Sequence, residues 1–129
     1  MLKNFTITGK VIKGKKRGGK IGIPTANLRW RKMKIPFGVY ASFTTVGKNT
    51  KKSVPHIGPI PSFRQPRPSI ETHILDYRRN IRGKTITIEI KHKLRNIRNY
   101  RDQNKLLKQI KQDINQTKCL LGSLPRSEK

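Results

Sequence analysis

Between Gly9 and Leu28 the chain reads GKVIKGKKRGGKIGIPTANL, a glycine- and lysine-rich loop running into a Pro24-Thr25-Ala26-Asn27 turn. Glycine lets backbone N–H groups approach a ligand closely, and with ammonium charge beside them such a loop suits a polyphosphate. The Thr25 hydroxyl and the Asn27 carboxamide could add neutral oxygens to a metal already carrying that polyphosphate. From Gly14 to Lys20 the loop satisfies G-x-x-x-x-G-K, but Ile21 stands where that motif needs Ser or Thr. Pro24 also opposes the helix that should follow. The segment therefore reads as phosphate-facing without being a Walker A loop; a basic hairpin tip without a ligand is the plainer alternative.

Only 6 acidic residues stand against 31 lysines and arginines, a formal net charge of +25, so each carboxylate can be weighed singly. Asp102 and Asp113 fall in a predicted helix, Glu128 in the C-terminal tail, and Glu89 on the solvent side of a strand. Glu71 and Asp76 remain as candidates for site chemistry. Glu71 shares a strand face with His73 and Leu75, opposite Ile70, Thr72 and Ile74. A carboxylate there could take a proton from a substrate hydroxyl, help typically worth roughly 10²–10⁴ in rate; a surface ion pair with a lysine is the competing reading. Arg95, Arg98 and Tyr100 combine two cations and an aromatic ring just before the helix. They could bind phosphate and stack on a planar ring, whether flavin, purine or RNA base. A basic linker with Tyr100 anchoring the helix explains them equally well.

The charge is spread along the chain rather than gathered in a tail, which suits the surface of a folded domain. It fixes the sign of a partner without choosing between a nucleotide and a nucleic acid. Frequent Lys, Asn and Ile would also follow from coding bias alone. At 129 residues the chain suits one domain with a modest core. No stretch approaches the ~18 apolar residues of a membrane span and the N-terminus lacks a signal-peptide core, so a soluble cytoplasmic protein is expected. The lone cysteine, Cys119, excludes an intramolecular disulfide and is expected to be a buried structural thiol. His56, His73 and His92 have no metal-ligand spacing.

The elements that must position these residues are mainly strands. Phe5 to Ile12 predicts a first strand with an irregularity at Gly9. Phe37 to Val46 predicts another, turning at Gly47-Lys48-Asn49 into a return strand from Lys52 to Ile57. Pro59 to Ser69 holds four prolines and predicts a loop. Ser69 to Tyr77 and Lys84 to Lys93 predict strands joined by a turn at Asn80 to Gly83; in the second, Ile86, Ile88 and Ile90 face one way, and Thr85, Thr87 and Glu89 the other. Asp102 to Leu121 predicts an amphipathic helix with Leu106, Ile110, Ile114 and Leu121 inward, Leu107 widening the stripe, and Asp102 or Asn104 near its start. Five or six antiparallel strands followed by one helix suggest a small barrel with the helix packed against it. The expected domain is residues 1–121, with 122–129 a polar tail.

In order and spacing, several segments resemble the riboflavin kinase (flavokinase) family. These are Gly9-x-Val11-x-x-Gly14, Gly22-Ile23-Pro24-Thr25-Ala26-Asn27-Leu28, Pro36-x-Gly38-Val39-Tyr40, and His56-Ile57-Gly58 with Pro61-Ser62-Phe63. Ile70 to Asp76, Leu94-Arg95 with Arg98 and Tyr100, and Leu107-x-x-Ile110-x-x-Asp113 continue the match to about residue 118. The resemblance implies a six-stranded antiparallel Greek-key barrel with a C-terminal helix. It implies transfer of the ATP γ-phosphate to the ribityl 5′-hydroxyl of riboflavin, giving FMN and ADP. On that carry-over Glu71 is the base, Gly14 and Lys20 contact the nucleotide phosphates, and Thr25 and Asn27 hold Mg²⁺. Ile74 and Asp76 lie near the nucleotide, while Arg95, Arg98 and Tyr100 lie on the flavin side. Phosphoryl transfer needs mainly positioning and charge neutralisation, with one group orienting the nucleophile, which suits the residues found.

The chain departs from the family pattern at His56, where Asn is usual, and at Gly19, Arg82 and Ile97. In many bacteria this module follows an FAD synthetase domain; standing alone, it would leave FMN adenylation to another protein. The expected partners are riboflavin or FMN and ATP or ADP, in a monomer with no membrane contact; any nucleic-acid binding would be non-specific and charge-driven. Two other functions fit the same residues: a non-catalytic basic barrel that binds RNA, and a flavin-binding protein without kinase activity.

Overall fold

The alternation of Ile86, Ile88 and Ile90 is a barrel wall. All three are fully buried, while Thr87 and Glu89 between them are only partly covered. The computed structural model describes residues 5–13, 25–60 and 65–122. Its strands are β1 (Phe5–Ile12), β2 (Ala26–Leu28), β3 (Gly38–Val46), β4 (Asn49–Ile60), β5 (Gln65–Ile74) and β6 (Thr85–Arg95), followed by helix α1 (Gln103–Leu121). All neighbours are antiparallel and the sheet closes in the order β1-β2-β5-β4-β3-β6. The β3-β4-β5 meander with β6 returning beside β3 is the Greek key that the resemblance implied. Ile7, Val11, Leu28, Tyr40, Ile57, Ile70 and Ile74 fill the interior with the three isoleucines of β6.

β1 pairs evenly through Gly9, opposite Ile86, so the expected irregularity there is absent. The PTAN segment enters a strand at Ala26 rather than remaining a turn. The proline-rich stretch is the larger correction. β4 continues through Pro59 to Ile60 and β5 begins at Gln65, so most of the expected loop is sheet. Proline provides no ladder N–H and is tolerated where a ladder is irregular. Pro59 falls at the register shift between Gly58 and Ile60, and Pro55 falls where the β3–β4 pairing skips from His56 to Ser53. The turn at Asn80 to Gly83 exists, with Gly83 at φ 88°, but it joins strands that are not neighbours. The chain is tied across to β1 instead, through Val11 N–H to Lys84 O and Gly83 N–H to Val11 O, both 2.8 Å.

Gly58 shows how tightly one end of the barrel closes. It sits at φ 127°, and an added Cβ would lie 2.6 Å from Ile97 Cδ1 and 2.8 Å from Phe37 Cγ. Gly58→Ala therefore combines backbone strain with a clash. A loss of about 1–3 kcal/mol is expected in a urea melt, and an unchanged midpoint would count against this packing.

Helix α1 starts as expected: Asp102 is the N-cap, its Oδ1 accepting from Asn104 N–H at 2.8 Å. Its inner face differs from the expected leucine–isoleucine stripe. The buried residues are Leu106, Asp113 and Thr117, with Ile110, Ile114 and Leu121 only partly covered. Ile114 packs on a second, outer cluster of Val39, Val54 and Leu75. Asp113 is buried because it has a cation to meet, Arg95 of β6. Cys119, expected inside, is exposed; it lies on the far side of the helix from Leu106 and Asp113.

Candidate active site

Register sets a line of side chains across the outside of the barrel. Asn27 of β2 is opposite Glu71 of β5, Glu71 opposite His56 of β4, His56 opposite Val39 of β3, and Val39 opposite Arg95 of β6. Directly opposed residues of adjacent strands share a face, with Cβ atoms about 4.5–5.5 Å apart. Ala26, Leu28, Ile70, Thr72 and Ile57 are the inward residues flanking this row. The sequence motifs, far apart along the chain, thus become one strip. It carries a carboxamide, a carboxylate, an imidazole and, beyond one valine, a guanidinium.

Glu71 is 9% exposed, and Ser69, two residues back on the same face, donates to its Oε2 at 3.4 Å. Beyond Asn27 an open cleft of about 560 Å³ lies at the barrel end, a size that suits a small-molecule ligand. Thr25, Asn27 and Ile74 line it, as do Lys13, Arg78, Arg79 and Arg82. Four cations around one cleft favour a polyanion. Asn27 is the hinge of the arrangement: it lines the cleft and is the cross-strand partner of Glu71.

His56 differs from its neighbours in the row. Burial, and then the nearby Arg95 guanidinium, lower its pKa to about 4, against a smaller raising effect of a hydrogen bond with its own backbone. The ring is therefore neutral at pH 7. Its Nδ1 is buried and makes no hydrogen bond outside its own residue.

Arg95 is engaged by the helix. Its Nε lies 3.0 and 3.1 Å from the two Asp113 carboxylate oxygens, and its Nη2 donates to Oδ2 at 2.8 Å. Gln109 Nε2 donates to Asp113 Oδ1 at 2.9 Å, and the Tyr100 hydroxyl donates to Gln109 Oε1 at 3.1 Å. Arg95 also sits 5.8 Å from the Tyr100 ring centroid. The anchoring reading of Tyr100 thus has direct contacts behind it. Arg98 is exposed.

Of the residues singled out in the sequence, Thr25, Asn27 and Ile74 meet at the cleft and Glu71 lies beside it. Asp76 turns outward at φ 56°, exposed and off the cleft lining. Gly14 and Lys20 lie outside the described residues. Sequence reasoning missed the Arg78, Arg79 and Arg82 side of the cleft, and His56 as a member of the row. Three arginines in five residues were a signal, hidden by reading that segment as a tight hairpin.

The class defined by this fold and site is a closed Greek-key barrel with a cationic, anion-sized cleft next to a shielded carboxylate. The chain belongs to the riboflavin kinase family: the family model described as Flavokinase, riboflavin kinase, matches residues 1–121. A bifunctional riboflavin kinase/FMN adenylyltransferase of Bacillus subtilis is 37% identical over 114 residues, covering 84% of this chain and 36% of the relative's own length. Among solved structures, a macrolide-efflux protein from Streptococcus pneumoniae superposes with a TM-score of 0.79 at 26% identity, over 89% of this chain and 38% of that one. Riboflavin kinase from Trypanosoma brucei superposes with a TM-score of 0.68 at 18% identity, over 94% of this chain and 82% of that one. The family's members act on riboflavin with ATP as co-substrate and are generally metal-dependent. Among the described residues, no helix is long and apolar enough to cross a membrane.

Proposed function

We propose that this chain is itself a riboflavin kinase, moving the γ-phosphoryl group of ATP to the ribityl 5′-hydroxyl of riboflavin to give FMN and ADP. The observation that carries the reading is the Asn27–Glu71 pair, which joins a cationic cleft to a carboxylate shielded from solvent. Lys13, Arg78, Arg79 and Arg82 offset the polyphosphate charge, with Gly14 and Lys20 of the glycine-rich sequence contributing. Glu71 accepts the proton of the 5′-hydroxyl as its oxygen bonds to the γ-phosphorus. The bond from that phosphorus to the bridging oxygen breaks and ADP leaves with the electron pair. Arrangement and charge neutralisation supply most of the acceleration in such a transfer.

The Thr25 hydroxyl and Asn27 carboxamide fit a hard cation that brings phosphate oxygens with it, since both are neutral oxygen donors on the cleft wall. We take that cation to be Mg²⁺; bound there, it would draw charge from the β- and γ-phosphate oxygens. Arg98 and Tyr100 border the flavin, and Arg95 serves the same side by fixing the helix. Asp76, exposed after β5, belongs to the outer rim of the nucleotide side. The working unit is residues 1–121, with 122–129 a tail. It acts as a cytoplasmic monomer with no membrane partner; the monomer is supported by the closure of the barrel among the described residues, which leaves little sheet edge for self-pairing.

The test is FMN formation by the purified chain from riboflavin and ATP. Turnover is expected with Mg²⁺, to vanish with EDTA and to return when Mg²⁺ is restored in excess. Flavin binding without FMN formation, or tight salt-sensitive RNA binding in its place, would overturn the proposal.

A further inference from the structure

His56 has no role in the chemistry described above, yet it lies immediately beside Glu71 in the row and on the side away from the cleft. A neutral imidazole has one N–H donor and one lone pair. Its Nδ1 is buried and meets only its own backbone, which leaves Nε2 as the ring nitrogen open to a ligand. A hydroxyl can pair with Nε2 in either tautomer, accepting from its N–H or donating to its lone pair. Among the described residues, the charged groups around it are Glu71 from β5, and Arg95 from β6 with Asp113 of α1 engaged to it. With Arg95 held by Asp113, the imidazole is the remaining polar group of the row on the acceptor side of Glu71. Adjacent strands are about 4.8 Å apart, a gap that a carbon or two of a hydroxylated chain can span.

We propose that His56 is a specificity residue for a polyol acceptor, hydrogen-bonding through Nε2 with the hydroxyl next to the one that Glu71 addresses. For riboflavin this is the ribityl 4′-hydroxyl. The inference rests on the kinase reading with Glu71 as base, and it adds a reason why a vicinal diol is preferred over a simple alcohol.

The test compares riboflavin with 4′-deoxyriboflavin in the full chain and in His56→Leu and His56→Asn. His56→Leu is expected to lower kcat/KM for riboflavin about tenfold, the value of roughly one good hydrogen bond, through the riboflavin KM and with the ATP KM unchanged. The same substitution should leave 4′-deoxyriboflavin unaffected, and His56→Asn, which keeps a hydrogen-bonding donor and acceptor, should recover much of the loss. Equal losses on both flavins, or a parallel rise in the ATP KM, would overturn the proposal. Flavin-fluorescence quenching gives the same comparison as binding, without turnover, and circular dichroism checks that each variant folds. Full turnover by Glu71→Gln would remove the base reading, while the binding comparison still judges His56.

Discussion

Glu71→Gln is expected to lower FMN formation by about 10²–10⁴-fold, the usual worth of a positioned general base, with little change in the melting curve. Gln has nearly the same volume and can still accept the Ser69 hydroxyl, but its amide cannot take a proton from the substrate. Because Glu71 lies on the outer face of β5, with Ile70 and Thr72 facing the core, the barrel interior does not sense the change. Riboflavin and ATP affinities should therefore hold while kcat falls, the pattern of an interaction made in the transition state. Turnover within a few-fold of the parent chain would reduce Glu71 to an ordinary ion-pairing residue.

The second large effect concerns stability. Asp113→Ala is expected to destabilise the fold by about 3–5 kcal/mol, because it leaves a largely covered guanidinium without its counter-charge. The Arg95 and Asp113 side chains are 17% and 3% exposed, and Gln109 loses its acceptor in the same variant. A urea melt measures the loss; less than about 1 kcal/mol would assign the pair to the weak surface class. Replacing both partners with Arg95→Met and Asp113→Leu should return much of it, since a buried ion pair is often matched by apolar groups of similar volume. That double variant separates the charge from the mere docking of α1. Loosening the helix end should also weaken flavin binding through Tyr100, which reaches α1 through Gln109.

What could be read in advance was local. The alternation of β6, the Gly47 turn and the Asp102 cap each depend on residues close in sequence, and each stands in the structure. The expected helix stripe stands only in part: Leu106 is buried and Ile114 packs on the outer cluster, but the inner face also holds Asp113, whose burial depends on Arg95, far away in the chain. Hydropathy ranks an aspartate as exposed until its partner is known. The proline-rich stretch was misread for a similar reason: proline opposes a regular ladder, and only the register shows that the ladder is irregular there. Elimination narrowed the acids to Glu71 and Asp76 because acids are so few, and strand pairing sets Glu71 beside Asn27. His56 could not be found in that way, since its buried Nδ1 and its neighbour Glu71 are products of strand pairing. The basic side of the cleft was obscured by assuming that consecutive strands must be neighbours.

The way β1 is paired has a bearing on how the chain comes to be folded. Its main ladder is with β6, from Phe5 opposite Ile90 to Lys10 opposite Thr85, while β2 offers it only Leu28 and Asn27. On the ribosome the first strand therefore emerges long before most of its hydrogen bonds can form. The β3-β4-β5 meander can assemble meanwhile, with both outer strands unsealed, and such long-range closure is slow. Two unsealed copies would ordinarily tend to pair through their open edges. The residues up to Lys84 already hold 20 lysines and arginines against Glu71 and Asp76, a formal net charge of +18, so such copies repel each other instead, protecting the newborn chain during the interval before β6 arrives.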